Sequence, residues 1–285
     1  MGIKDIQIGN DGKLAIKQFK LETMVDNPSI VVIAARGSGK SIIVKSILDY
    51  FKNIPVGVVI SPSEKVDPFF SDFFPLSFIY DTFKSELIEK ILKEQEGKKI
   101  DTRAFIVMDD CLADKDKWAK DPTVYELLYN GRHYDLMYIL TMQFPLGIKP
   151  ELRLNFDYIF LLADTRLSNQ KRIFDHYAGV FPNFESFRQV FNQLTDDYGA
   201  MVISNRTKSK DFFDIVYWYK AEHNEEKDDT MNICCNQLHK FHNKNFNENW
   251  KKKSRKIDYN KYFMNSKKNK SIITVAKEKI EEIKK

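Results

Sequence analysis

Two glycines, a lysine and two serines stand together at residues 37–41. A chain of phosphates needs many hydrogen-bond donors at once, and a glycine-rich loop that runs into a helix supplies backbone N–H groups for it. In such a loop Lys40 neutralises phosphate charge and the hydroxyl of Ser41 is a ligand for Mg²⁺. An apolar segment precedes the loop and a helical pattern follows it, as this motif requires. The sequence therefore predicts a P-loop that binds ATP and Mg²⁺.

Polar side chains also end two later apolar segments. Residues 105–108 lead into the carboxylates of Asp109 and Asp110. In this Walker B arrangement Asp109 holds Mg²⁺, and Asp110 acts as the general base that polarises the attacking water. A further apolar segment ends at Gln143, whose amide is suited to contact the γ-phosphate or the attacking water. The position of the two carboxylates suits a strand beside the one that leads into the P-loop.

An arginine is the remaining part of such a site. Hydrolysis in ring ATPases usually requires a cation from a neighbouring subunit, because negative charge develops on the γ-phosphoryl oxygens. The planar, permanently charged guanidinium suits this task. Arg132 is the first candidate, since it precedes the Gln143 segment, and we expect it near the carboxyl edge of the sheet or at a subunit boundary. Arg153 is the second candidate, and either arginine could instead be a surface ion-pair partner.

Short β-branched apolar segments alternate with amphipathic stretches along the first part of the chain. Continuous apolar runs are typical of buried parallel strands, and the alternation predicts βαβ units. The predicted fold is α/β, with a mostly parallel central sheet flanked by helices. A hairpin of residues 199–203 and 212–218 is expected at one sheet edge. The parallel strands are predicted at residues 30–34, 56–60, 104–108, 136–140 and 158–162, and two of the helices at 41–51 and 82–93.

The carboxyl-terminal part of the chain has a different composition. The net charge is +5, but residues 251–285 carry +9, because thirteen Lys or Arg stand there against four Asp or Glu. We expect a P-loop ATPase domain at residues 1–220 and, at residues 221–285, a charged linker and a small polar, basic region with a short helix at 272–283. A basic segment is suited to contact nucleic-acid phosphates, although exposed lysine-rich ends often serve only solubility.

Membrane and secreted classes are disfavoured. The sequence has no run of eighteen apolar residues, and its amino terminus lacks the pattern of a secretory signal. Its three cysteines, two of them adjacent, do not suit a disulfide framework. We therefore expect no membrane span, reduced thiols, and a location in the cytosol or inside a virion.

Four segments follow one another along the chain, at residues 35–41, 107–112, 130–134 and 141–143. Together they resemble the virion DNA-packaging ATPases of large double-stranded DNA viruses, the poxvirus-type branch of the FtsK-HerA superfamily. The likeness covers residues 30–162. It implies a RecA-like ATPase that assembles as a homo-oligomeric ring, a pentamer or a hexamer, and pumps double-stranded DNA into a capsid.

The resemblance also implies roles for individual residues and partners. The implied partners are double-stranded DNA and a capsid or vertex protein, and the implied location is the virion or the viral factory in the host cytoplasm. Two features depart from the family pattern: Ala34 replaces the leading glycine of the loop, and residues 221–285 match no family feature. The implied nucleotide-binding residues are Arg36, Gly37, Ser38, Gly39, Lys40, Ser41 and Ile42, the catalytic residues Lys40, Asp110, Gln143 and Arg132, and the Mg²⁺ ligands Ser41 and Asp109.

Three other functions use the same motifs. A HerA-like motor for DNA repair or conjugation shares the catalytic core and differs in its partner. A P-loop nucleoside kinase binds ATP in the same loop without an arginine from a neighbour. A structural virion component could use the nucleotide only to stabilise its fold.

Overall fold

The main feature of the computed structural model is an eight-stranded mixed sheet. The model describes residues 4–7, 13–96, 103–111, 118–222 and 232–245. Six strands of the sheet run parallel, and an antiparallel pair adjoins them at one edge. A separate antiparallel hairpin precedes the sheet in the chain. The hairpin consists of β1 (Lys4–Gln7) and β2 (Lys13–Ile16), and the sheet of β3 (Ser29–Ile33), β4 (Val56–Ile60), β5 (Ile79–Tyr80), β6 (Ala104–Met108), β7 (Leu136–Met142), β8 (Tyr158–Leu162), β9 (Ala200–Ser204) and β10 (Val216–Tyr219), in the spatial order β10-β9-β8-β3-β7-β6-β4-β5.

Helices connect most of the parallel strands and cover the sheet. None of the helices in the described ranges combines the length and apolar character that crossing a bilayer requires. The α-helices are α1 (Lys40–Tyr50), α2 (Ser85–Gln95), α3 (Pro122–Asn130), α4 (Pro150–Arg153), α5 (Leu167–Tyr177), α6 (Phe184–Leu194) and α7 (Asn236–Asn245).

The core lies on both faces of the sheet, because successive strand residues point to opposite sides. On one face, α1 packs through Ile43 and Ile47 against the side of the sheet that carries Val32. On the other face, α2, α3, α5 and α6 pack against the side that carries Ile33 and Ile106. Burial on both faces explains why the parallel strands are continuous apolar runs rather than alternating patterns.

The predicted mostly parallel sheet with flanking helices is confirmed, and each of the five predicted parallel strands is present within two residues of its predicted bounds. The antiparallel hairpin at a sheet edge is also confirmed. Its second strand begins at Val216 rather than at residue 212, so that bound was wrong. The reason is local: the Asp211 carboxylate accepts a hydrogen bond from the Phe213 N–H at 3.0 Å and holds a 3₁₀ turn there.

The segment after the edge hairpin returns to the core. Ile233 and Leu238 are buried on the α1 face of the sheet, and the Ile233 N–H donates to the Phe73 carbonyl at 3.2 Å. The domain boundary at residue 220 stays a prediction. The basic residues 251–285 and the helix predicted at 272–283 lie outside the described residues.

The parallel strands end together at one edge, which we call the carboxyl edge. β3 lies between β7 and β8, and the loop that follows β3 emerges at this edge and enters α1. The expectation that the carboxylate strand β6 lies directly beside β3 was wrong, because the later strand β7 pairs with both and separates them. Crevices at the carboxyl ends of parallel strands are where open α/β sheets bind their ligands.

Candidate nucleotide-binding site

The loop between β3 and α1 has the backbone of a phosphate-binding loop. Gly37 and Gly39 have φ angles of +79° and +92°, which favour glycine. Gly39 is the residue that precedes α1, so the free N–H groups of the first helical turn face the crevice. Arg36 and Gly37 are exposed, and the four residues 38–41 and Ile42 are half-buried. Such a helix start favours a bound anion.

Ala34 does not disturb this loop. Its side chain is buried, with 2% of the residue exposed, among the apolar residues of the α1 face. Its N–H donates to the Met142 carbonyl of the neighbouring strand β7 at 3.0 Å. The residue therefore continues the strand, and the loop turns after it.

Lys40 lies between the two carboxylates that follow β6. Its Nζ is 3.3 Å from Asp109 Oδ1 and forms a second ion pair with Asp110 Oδ2. The Lys40 side chain is 11% exposed, and those of Asp109 and Asp110 are 7% and 23% exposed. The three groups predicted from separate motifs thus meet at the carboxyl edge, where limited solvent strengthens their electrostatic interaction.

Gln143 joins the same cluster from the end of β7. Its Nε2 donates to Asp110 Oδ2 at 2.9 Å. Asp110 itself has a φ of +49°, a conformation that aspartate tolerates better than most residues. Its other oxygen, Oδ1, is buried and accepts no hydrogen bond within the described part of the chain. A buried polar atom without a partner points to a ligand or a water molecule that satisfies it.

Two further residues hold the carboxylates, and the sequence analysis did not identify them. Thr141 Oγ1 donates to Asp109 Oδ1 at 2.7 Å and accepts from the Asp110 N–H at 3.1 Å. Ser61 Oγ donates to Asp109 Oδ2 at 3.2 Å. A signal existed for both: Ser61 directly follows a predicted strand, as Asp109 does, and Thr141 precedes Gln143 by two residues, on the same face of its strand.

The donor set at this edge fits Mg²⁺. Mg²⁺ prefers oxygen ligands and is commonly held by one or two protein oxygens together with the phosphates of a substrate. Ser41, the second residue of α1, offers a hydroxyl, and Asp109 offers a buried carboxylate at the end of β6.

Arg132 does not lie near the carboxyl edge, so that part of the expectation was wrong. It belongs to a 3₁₀ turn before β7, and β7 runs parallel to β3, so the turn lies at the amino edge. There Arg132 Nη1 is 3.6 Å from Asp157 Oδ1, and Arg206 Nη1 is 3.5 Å from the same oxygen. Half of the Arg132 side chain is exposed. A role toward a neighbouring subunit stays a prediction.

Arg153 is held inside its own subunit. Its Nε and Nη2 donate to the Ile148 carbonyl at 3.1 and 2.8 Å, and its guanidinium lies over the Tyr177 ring, 5.5 Å from the centroid. Only 7% of the residue is exposed. Burial raises the pKa of Tyr177, and the nearby arginine opposes that shift. This environment makes Arg153 the weaker candidate for a contact with another subunit.

A third acidic residue shares the carboxyl edge, two positions after the end of β8. Asp164 is 6% exposed and accepts from Asn169 Nδ2 at 2.8 Å and from the Arg166 N–H at 2.9 Å. Burial alone would raise the pKa of Asp164, but these hydrogen bonds and the Arg166 charge lower it below 3.8. Asp164 therefore orders the turn between β8 and α5.

The chain has clear relatives among viral proteins, although no protein-family model matches it. Uncharacterized protein L437 of Acanthamoeba polyphaga mimivirus is 40% identical over 250 residues, which cover 84% of this chain and 86% of the relative. Uncharacterized protein 075L of Invertebrate iridescent virus 6 is 35% identical over 238 residues, which cover 80% of this chain and 90% of the relative.

A solved structure shares the fold. The genome packaging NTPase B204 from Sulfolobus turreted icosahedral virus 2, in complex with AMPPCP, matches with a TM-score of 0.52 and 16% identity, over 70% of this chain and 100% of that one. The RecA-like P-loop fold and the resemblance to viral packaging ATPases are therefore confirmed. The chain belongs to the family of large-DNA-virus proteins that includes L437 and 075L, and its fold is that of P-loop ATPases.

Proposed function

We propose that the chain is an ATP-driven double-stranded DNA translocase that packages a viral genome into its capsid. The observation that carries the proposal is the meeting of Lys40, Asp109, Asp110 and Gln143 at the carboxyl edge of the sheet. These groups come from a P-loop helix and from the ends of two neighbouring strands. A cation, two carboxylates and an amide around one crevice are the parts that NTP hydrolysis needs.

The roles of these groups follow from their positions. Lys40 and the backbone of residues 36–41 bind the β- and γ-phosphates, and Ile42 extends the helix start that faces them. Incoming phosphates compete with Asp110 for the Lys40 ammonium, and so release the Asp110 carboxylate from its ion pair. Asp110 then takes a proton from the attacking water. Gln143, which is hydrogen-bonded to the same carboxylate, orients that water.

Mg²⁺ is the implied cofactor, and Ser41 and Asp109 are the residues that would hold it. When bound, it neutralises the charge of the β- and γ-phosphoryl oxygens. Thr141 and Ser61 fix the Asp109 carboxylate through hydrogen bonds of 2.7 and 3.2 Å. The protein thereby holds this ligand in one orientation before the substrate arrives.

The proposed assembly is a homo-oligomeric ring in the virion or the viral factory, with a capsid or vertex protein as the docking partner. Arg132 is the proposed arginine that reaches a neighbouring subunit's nucleotide. Its exposure and its position at the edge opposite its own P-loop support a contact outside its own subunit. The genome packaging activity named for the solved viral NTPase of the same fold supports this choice of function.

The experiment is ATP hydrolysis by the purified full chain, with and without linear double-stranded DNA. We expect Mg²⁺-dependent hydrolysis that DNA stimulates. Lys40→Ala serves as the blank and abolishes nucleotide binding, whereas Asp110→Asn retains binding and loses hydrolysis. Genuine hydrolysis that DNA leaves unchanged would refute the translocase and favour a kinase-like or regulatory ATPase. Equal loss of nucleotide affinity in both variants would contradict the division of roles.

A further inference from the structure

Tyr198 is an exposed aromatic residue beside the phosphate-binding loop. It lies in the turn between α6 and β9, and 65% of it is exposed. The register pairs Ala200 with Leu162, so this turn lies at the carboxyl edge, next to the end of β8. A Cβ placed on Gly39 would lie 3.3 Å from Cδ1 of the Tyr198 ring. The ring thus lies against the last loop residue before α1.

The turn holds Tyr198 in an unfavourable backbone conformation. Tyr198 has a φ of +59°, and Asp197 before it has a φ of +49°. A left-handed φ is uncommon for a bulky residue, and such strain concentrates where ligands bind. The exposed ring gains little from burial in its own subunit to offset this strain. The strained position therefore points to a role for the ring outside the folding of the chain.

Neighbouring contacts fix the turn. A Cβ on Gly199 would lie 2.3 Å from the Leu194 carbonyl oxygen, so only glycine fits where β9 begins. The Gly199 N–H donates to the Asp196 carbonyl at 2.9 Å. Asp197 forms an ion pair of 2.5 Å with Lys220, which directly follows β10. The turn is thus tied to both strands of the edge hairpin, and the ring has a defined place.

We propose that Tyr198 is the stacking platform for the base of the nucleoside triphosphate. The inference rests on the proposed binding of ATP at residues 36–42. A triphosphate bound in that loop carries its ribose and base away from Lys40, and a flat aromatic face beside Gly39 is a surface on which a base can stack. Stacking on one tyrosine does not distinguish bases by hydrogen bonds, because every base has a π-face. It favours the larger purine over the pyrimidine ring system.

The test compares a nucleotide with its phosphate chain alone. Calorimetry on the full chain measures the dissociation constants of Mg²⁺–AMPPCP and of Mg²⁺–tripolyphosphate. We expect Tyr198→Ala to weaken AMPPCP binding by about five- to a hundredfold, the range of one base–aromatic stack. Tripolyphosphate binding should stay within about twofold, because the variant removes no phosphate ligand. Alanine keeps a Cβ, so the backbone strain is the same in both proteins.

Two variants serve as controls. Tyr198→Phe keeps the ring and should bind AMPPCP within about threefold of the unmodified chain. Tyr129→Ala removes a tyrosine of similar exposure, 50%, from the end of α3 that leads to the amino edge, and should change neither constant. An equal loss for both ligands in Tyr198→Ala, or no loss for either, would overturn the stacking role.

The same measurement separates this inference from the proposed ATP site. If Lys40→Ala abolishes AMPPCP binding while Tyr198→Ala leaves it intact, the ATP site stands and the stacking platform is wrong. If the unmodified chain binds neither AMPPCP nor tripolyphosphate, the ATP site fails and the inference fails with it.

Discussion

Replacing Thr141 by valine tests whether one hydroxyl orders both carboxylates. Thr141 is fully buried and bridges the Asp109 carboxylate and the Asp110 N–H. A hydrogen bond to a charged group contributes about 1.5–3 kcal/mol, and a buried donor left without an acceptor costs about 1–3 kcal/mol. Asp109 keeps Ser61 and Lys40 as partners, and the Asp110 N–H is only partly buried. The two effects together would cost about 2.5–6 kcal/mol. Because partners remain, we expect Thr141→Val to lower the unfolding free energy by about 3 kcal/mol, near the lower end of that combined range.

Thr195→Val is the matched control for this change. Thr195 is also buried, but its hydroxyl donates only to the Phe191 carbonyl, at 2.8 Å, and that carbonyl also accepts the Thr195 N–H at 2.9 Å. Its loss leaves no orphaned group and should cost about 1 kcal/mol. Urea unfolding measures both values, and ATP turnover should fall about ten- to a hundredfold in Thr141→Val alone, because the general base moves. Equal stability losses and unchanged turnover in the two variants would refute the bridging role.

Three further changes test other parts of the structure. A Cβ on Gly57 would lie 2.4 Å from the ring of its cross-strand neighbour Phe105. Gly57→Ala should therefore lower the unfolding free energy, measured by urea titration, by about 1–3 kcal/mol. Gly179→Ala is the control and should be neutral in the same titration, because a Cβ there has open space around it. Because the pKa of Asp164 is lower in the folded chain, its ionised carboxylate stabilises the fold at pH values above the pKa that it has in the unfolded chain. The stability difference between the unmodified chain and Asp164→Asn should therefore be constant near neutral pH and shrink as pH falls below 3.8. Arg132→Ala should lower turnover by about 10³-fold or more, with rescue in rings mixed with a subunit that lacks its general base. Arg206→Ala removes the other arginine beside the same carboxylate and should not lower turnover. Equal effects of the two variants would assign Arg132 a structural role.

The proposed catalytic groups could be predicted from the sequence because each follows an apolar strand. Parallel strands end at one edge, so the ends of β3, β6 and β7 bring Lys40, Asp109 and Gln143 together, with β7 between the other two strands. Arg132 shows the limit of the same logic. A residue that precedes a parallel strand lies at the amino edge, so its proximity to Gln143 along the chain did not imply proximity in space.

Other features of the site could not be predicted, because they depend on which strand residues pair in the sheet, and a single sequence does not reveal that register. In the sequence, Ser61 and Thr141 look like ordinary polar residues at strand ends. Only the strand pairs Ile60–Met108 and Met108–Leu140 show that both lie beside Asp109. The two-residue strand β5 is too short to produce a periodic pattern. The strained turn at Tyr198 has no residue pattern of its own, because its place beside the loop depends on the β8–β9 pairing.

We propose that ATP hydrolysis at this site moves the chain along double-stranded DNA. Third-strand displacement measures that movement directly: a linear duplex carries a fluorescent oligonucleotide as a triplex near one end, and its release is followed over time. We expect the full chain with Mg²⁺ and ATP to release the third strand, and Lys40→Ala and Asp110→Asn to release none. Robust ATP hydrolysis without release, or equal release by the Asp110→Asn variant, would contradict translocation driven by this site.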